Sequence, residues 1–258
     1  MIPPSFSSRT SIRLRGKAVP GALERHRGIS GYDQKRMSQA TVTLIGAGGL
    51  GGGIGLTLVR KGVGCLKIFD PDTVEASNLN RQRFFRRDLG SYKAVALARN
   101  LKPECTHSTA LIGVPLEFVE ATERGRDLSC DVAVCGVDNN PARISAGHYF
   151  RMLRTPVVFV AVSAQADHGY VFVQEATGPC IGCLFPDAVN DDRFPCPGTP
   201  AMADTLQVVS ALAAYAVDTC VMRRKRAWNY RRVWLSDGAF DSSQRIPARS
   251  GCPFCQSR

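Results

Sequence analysis

The chain has 258 residues, 44% hydrophobic and 21% charged, the balance of an ordinary globular protein long enough to bury a sizeable core. No apolar run approaches the roughly 18–20 residues that span a bilayer, and the first twenty residues lack the apolar segment of a secretory signal. The net charge of +11 points to an acidic partner: nucleic acid, an acidic protein or nucleotide phosphates.

Met1 to Pro20 is basic and Ser-rich and reads as a disordered leader, with residues 21–258 forming a single domain. Glu24 to Ala40 reads as a short helical entry with a turn at Gly31. An apolar strand (Val42, Leu44, Ile45) then runs into a glycine turn, Gly46-x-Gly48-x-x-Gly51 with Gly49 inside it, and a helix to Lys61. Such a turn needs glycine for positive φ and for close approach of backbone to phosphate, and the helix aims free N–H groups and its positive dipole end at that phosphate. A second strand, Leu66 to Phe69, ends in Asp70, placed to accept the ribose hydroxyls. Beyond it stand Asp72, Asn78, Arg81 and Lys93, a density of charge suited to a triphosphate rather than to a dinucleotide. Asp72 either shares the metal or stabilises the turn.

Tyr92 to Leu101 is helical and carries Lys93 near its start, and His107 to Val114 reads as an edge strand. Asp131 to Gly136 is a continuous apolar run, the mark of a buried parallel strand, leading through Asp138 into a helix from Ala142 to Leu153. Asp138 lies outside the carboxyl end of that strand, where a carboxylate can hold Mg2+ against phosphates; the plain alternative is a helix N-cap. Two further strands (Pro156 to Ser163, Gly169 to Val173), a loop from Phe185 to Ala203, a long helix (Thr205 to Arg223) and strands at Tyr230 to Ser236 and near Ile246 complete the pattern. The expected fold is α/β, a Rossmann-like mixed sheet flanked by helices. Ten cysteines in a chain with a nucleotide site and no signal imply a reducing cytosol. Cys180-x-x-Cys183 and Cys252-x-x-Cys255 are two knuckle pairs about seventy residues apart, together a closed four-thiolate Zn2+ site of structural type.

GAGGLGG, DPDTV, NLNRQ, GSYK and DN-x-x-x-R, completed by Arg143, stand in register from about Glu24 to Cys255. In these motifs the chain resembles the ThiF/MoeB-like family, adenylating enzymes that activate ubiquitin-like proteins. The resemblance implies ATP with Mg2+, a cradle at Gly46, Gly48, Gly49 and Gly51, Asp70 on the ribose, and Asn78, Arg81 and Lys93 on the phosphates. It further implies Asp138 on the metal and a homodimer in which Arg25 reaches the partner's site, although Gly28 stands near where many members have a second arginine. Cys196 falls where some members carry an acyl-accepting cysteine, but Pro-Gly-Thr-Pro follows it instead of the usual small-residue run. The expected substrate is the C-terminal glycine carboxylate of a ubiquitin-like or sulfur-carrier protein in the cytoplasm, with no membrane. A tRNA-modifying, carboxylate-activating dehydratase and a non-catalytic nucleotide-binding module are the alternatives; the charge fits tRNA.

Overall fold

The structure, a computed structural model, describes residues 10–186 and 200–255. Nine strands form one sheet in the order β1-β4-β3-β2-β5-β6-β7-β8-β9. Its middle is parallel: β2 (Thr41–Ile45) lies between β3 (Cys65–Phe69) and β5 (Val132–Cys135), with β4 (Ala110–Val114) beyond β3 and β6 (Val157–Val162) beyond β5. These strands are buried on both faces, so their sequences are apolar runs without alternation. Beyond β6 the sheet turns antiparallel through β7 (His168–Gln174), β8 (Tyr230–Trp234) and β9 (Ser242–Gln244).

One face of the sheet is covered by α2 (Gly49–Arg60), α3 (Lys93–Leu101) and α7 (Ala203–Val221), whose Ile54, Leu58, Leu97, Val209 and Val217 join Leu44, Leu66 and Val134 in the larger core. The other face carries α4 (Phe118–Glu123), α5 (Asn140–Met152) and the single turn α6 (Ile181–Leu184), packed on Ile45, Phe69, Phe159 and Phe172. The α/β architecture agrees with the sequence.

Three local expectations need correction. Ile12–Arg15, inside the stretch read as a disordered leader, forms strand β1, antiparallel to β4 with Ile12 opposite Gly113. Its alternation of half-buried Ile12 and Leu14 with exposed Arg13 and Arg15 suits a sheet edge. In consequence β4, read as an edge strand from His107, is an interior strand beginning at Ala110. The last strand falls at Ser242–Gln244 instead of near Ile246. The entry segment resolves into a 3-10 turn, Glu24–His26, and helix α1 (Gln34–Gln39), which Asp33 caps by accepting from the N–H groups of Lys35 and Arg36.

Candidate active site

The chain leaves β2 toward β3 on one side, while β5 lies against β2 on the other. Open α/β sheets bind ligands at such a reversal, outside the carboxyl ends of the strands. A cleft of about 880 Å3 lies there, reaching from the glycine turn across Asp70 and Lys93 to Asp138 and Tyr170. Gly46 has φ +99°, and a Cβ on it would sit 3.2 Å from the Gly136 backbone. A Cβ on Gly51 would lie 2.0 Å from the Gly46 carbonyl oxygen, so glycine at 51 lets α2 start directly under the turn. At Gly48 a Cβ would meet nothing within 4 Å; that side opens on the cleft.

Asp70 is 7% exposed. Its Oδ2 accepts from Ala47 N at 2.7 Å and its Oδ1 from Asp72 N at 2.9 Å, so this carboxylate fastens the glycine turn to the end of β3. Each oxygen keeps a lone pair that can accept a further hydrogen bond from the cleft side. Burial pushes its pKa up to about 6, against the pull of the Ala47 N–H and of Lys93. Lys93 opens α3. Its Nζ meets Asp72 Oδ2 at 2.8 Å, its N–H donates to the Asp72 carbonyl, and a bridge between Thr73 and Tyr92 joins the two segments. Asp72 therefore orients Lys93. Arg81 lines the cleft, its Nη1 donating to the Ser77 carbonyl and to Asn80 Oδ1.

Asp138 lines the cleft mouth, and its carboxylate makes no hydrogen bond or ion pair among the described residues. The N-cap of α5 is its neighbour Asn139, whose Oδ1 accepts from Ala142 N at 2.8 Å. Arg143 braces this loop by donating from Nε to the Val137 carbonyl at 3.0 Å.

Gly46, Gly48, Gly49, Asp70, Asp72, Arg81, Lys93 and Asp138 thus share one cleft. Gly51 supports it from below. Asn78 is not in it: the side chain is buried, with Oδ1 accepting from Glu75 N at 3.1 Å, and it shapes the turn that delivers Arg81. Arg25 is exposed on its 3-10 turn and does not line the cleft of its own chain. Cys196 lies outside the described residues. Among the cleft residues that the sequence did not single out are Glu117, Gln82 and Tyr170. Gln82 stood within the NLNRQ motif. Tyr170, whose hydroxyl is buried without a partner, reaches the cleft only through the β6–β7 pairing, which no local pattern reports.

Far along the sheet the four knuckle cysteines meet. Their sulfurs all lie within 4.8 Å of one another, with Cys180 3.7 Å from Cys252 and Cys183 3.2 Å from Cys255. Zn–S bonds of about 2.3 Å put tetrahedral sulfurs ~3.8 Å apart, so the set fits a zinc ion. Arg249 N–H donates to Cys183 Sγ, and the Phe254 ring covers Gly182, where a Cβ would lie 2.4 Å from it.

Residues 23–256 match the family model described as the ThiF family. The chain is 34% identical to the "SAMP-activating enzyme E1" of Haloferax volcanii, over 86% of this chain and 82% of that protein. It is 33% identical to the "Sulfur carrier protein adenylyltransferase" of Thermus thermophilus, over 86% and 84%. Other relatives are longer: the chain spans 32% of the maize "Adenylyltransferase and sulfurtransferase MOCS3-2", which it matches at 33% identity over 62% of its own length. The structure of E. coli MccB with ATP has the same fold, with a TM-score of 0.69 at 22% identity over 86% of this chain and 68% of that one. The chain belongs to the ThiF family.

Proposed function

We propose that this chain uses ATP to adenylate the C-terminal glycine carboxylate of a small ubiquitin-like or sulfur-carrier protein. The observation that carries the reading is the single cleft that joins a helix-starting glycine turn, a buried ribose-side carboxylate and, beyond it, Arg81, Lys93 and Asp138. The names of the Haloferax and Thermus relatives point the same way.

In the reaction, a carboxylate oxygen attacks the α-phosphorus. The bond from that phosphorus to the bridging oxygen breaks, and its electron pair leaves with pyrophosphate. No protein nucleophile and no proton transfer are required, so positioning and electrostatics supply the rate. The N–H groups at the start of α2 hold phosphate, Asp70 holds the ribose, and Arg81 and Lys93 meet the charge that grows on the departing oxygens. Within the cleft, among the described residues, Arg81, Lys93 and Arg143 face Asp70, Asp72, Glu117 and Asp138, one carboxylate more than cations. Such a site repels a bare triphosphate. That supports entry of the nucleotide with Mg2+, and Asp138 is the unengaged carboxylate suited to hold it. When bound, the ion neutralises phosphate charge. The Cys180, Cys183, Cys252 and Cys255 thiolates would hold a structural Zn2+. Arg25, exposed and outside its own cleft, is assigned to the site of a second copy in a homodimer, and Cys196 to acceptance of the acyl group as a thioester, its thiolate displacing AMP. The reducing cytoplasm suits the described cysteines, all of them unbridged.

ATP–pyrophosphate exchange tests this reading. Exchange should require a protein ending in glycine, and Asp138→Ala should lower it by about 10²–10³ while leaving thermal stability intact; retained exchange would remove Asp138 from the metal. The net charge of +11 favours a second reading, activation of a carboxylate on a modified tRNA base, and exchange that requires tRNA would establish it.

A further inference from the structure

The run from Gly48 to Gly53 contains more glycine than a phosphate turn requires. Gly52 and Gly53 lie beyond the turn, inside α2. A Cβ at Gly52 would sit 3.0 Å from Arg83 Cγ and 3.2 Å from Arg83 Cβ, and one at Gly53 would sit 2.6 Å from Ser210 Oγ. The bare positions let the Arg83 stem cross α2 and bring α7 close. Between them is a side chamber of about 160 Å3, walled by Asn80 to Arg83 on one side and by Gln207 and Ser210 of α7 on the other.

The chamber shares Gly49, Arg81, Gln82 and Leu206 with the main cleft, so the two join at the phosphate end of the site. Their charge differs. Two arginines and no carboxylate line the chamber, among the described residues, whereas four carboxylates line the cleft. Gln82 Oε1 is buried without a donor. Turning the amide end over end costs that oxygen no hydrogen bond and presents two N–H donors in its place.

We propose that this chamber is a binding site for the pyrophosphate expelled from ATP, with Arg83 its ligand beside Arg81 and Gln82. The proposal rests on the adenylation reading above. Breaking the bond at the α-phosphorus conserves charge but leaves most of it on a diphosphate that is free to move, and the cleft, with four carboxylates to three cations, holds that ion less well than a chamber with two arginines and no carboxylate. The adjoining chamber, cationic and open to the cleft, draws it away from the acyl-adenylate and so opposes the reverse reaction.

The test is calorimetric titration of the full chain with inorganic pyrophosphate, with AMP and with ATP, in wild type, Arg83→Ala and Arg83→Lys. Arg83→Ala should weaken pyrophosphate binding about tenfold and change AMP binding less than twofold, and Arg83→Lys should recover most of the loss. Pyrophosphate affinity unchanged in Arg83→Ala, or AMP weakened by the same factor, overturns the proposal. Wild-type binding of ATP with pyrophosphate indifferent to Arg83 removes the chamber and keeps the adenylation reading. A wild-type chain that binds neither ATP nor pyrophosphate removes both.

Discussion

At the scale of single residues, Asp70 ties the glycine turn to pH and, in the adenylation reading, to the nucleotide. Its two backbone bonds hold the glycine turn, while its burial raises the pKa from 3.8 to about 6. The folded state therefore keeps, between about pH 4 and 6, a proton that the unfolded chain has lost. Unfolding free energy contributed by this group falls as pH rises through that window and is level above it. Nucleotide binding runs the opposite way, because only the ionised carboxylate accepts from both ribose hydroxyls. ATP affinity should drop as pH falls below about 6, and the ratio of wild-type to Asp70→Asn affinity, in which protonation of ATP itself cancels, should shrink over the same range. A ratio constant from pH 5 to 8 would show that Asp70 does not bind the ribose in its charged form. Residue types at motif spacing made the meeting of Asp70, Lys93 and Asp138 in one cleft legible in the sequence. The bonds that define their work were not: Asp72 orients Lys93, Asn139 takes the cap, and Asn78 turns inward. Each depends on a side-chain direction that spacing alone does not specify.

At the scale of elements, α2 is the member around which the site is assembled. It begins at Gly49 with Gly48 as N-cap, and its early glycines contact the turn, Arg83 and α7 in succession. Gly51 has the least room. Alanine there places Cβ against the Gly46 carbonyl, so α2 must back away from the turn that Asp70 fastens. Gly51→Ala should cost about 1–3 kcal/mol in denaturant unfolding, as overpacking does, and weaken ATP binding at least tenfold. ATP affinity within twofold of wild type would mean that the turn moves freely with the helix. The parallel strands were readable because burial on both faces makes them unbroken apolar runs. β1 carried a readable signal, Ile12 and Leu14 alternating with Arg13 and Arg15, which its setting in a basic stretch obscured. α4, the six-residue helix after β4, is too short for a helical period to register.

At the scale of the whole molecule, the cysteine pairs tie the last described residues to the segment after β7, across 72 positions. Closing a loop of that length contributes about 4.4 kcal/mol by the chain-entropy estimate, which in a chain of this size is roughly 10–15 °C in Tm. Chelation, or Cys255→Ser, should release one equivalent of zinc and lower Tm by about that amount. Purified protein with no bound zinc, and a Tm indifferent to chelator, would show four unliganded thiols. Among the described residues no helix is long and apolar enough to cross a bilayer. The sheet order and the reversal between β2 and β5 place the glycine turn, Asp70, Asp72, Arg81, Lys93 and Asp138 in one cleft at the carboxyl edge of the sheet. The most direct measurement of what that edge does is transfer of label from pyrophosphate into ATP. It should appear only with Mg2+ and a small protein ending in glycine, and fall 10²–10³-fold in Asp138→Ala. Absence of exchange with every such protein, in a chain that binds NAD in the same cleft, would contradict adenylation.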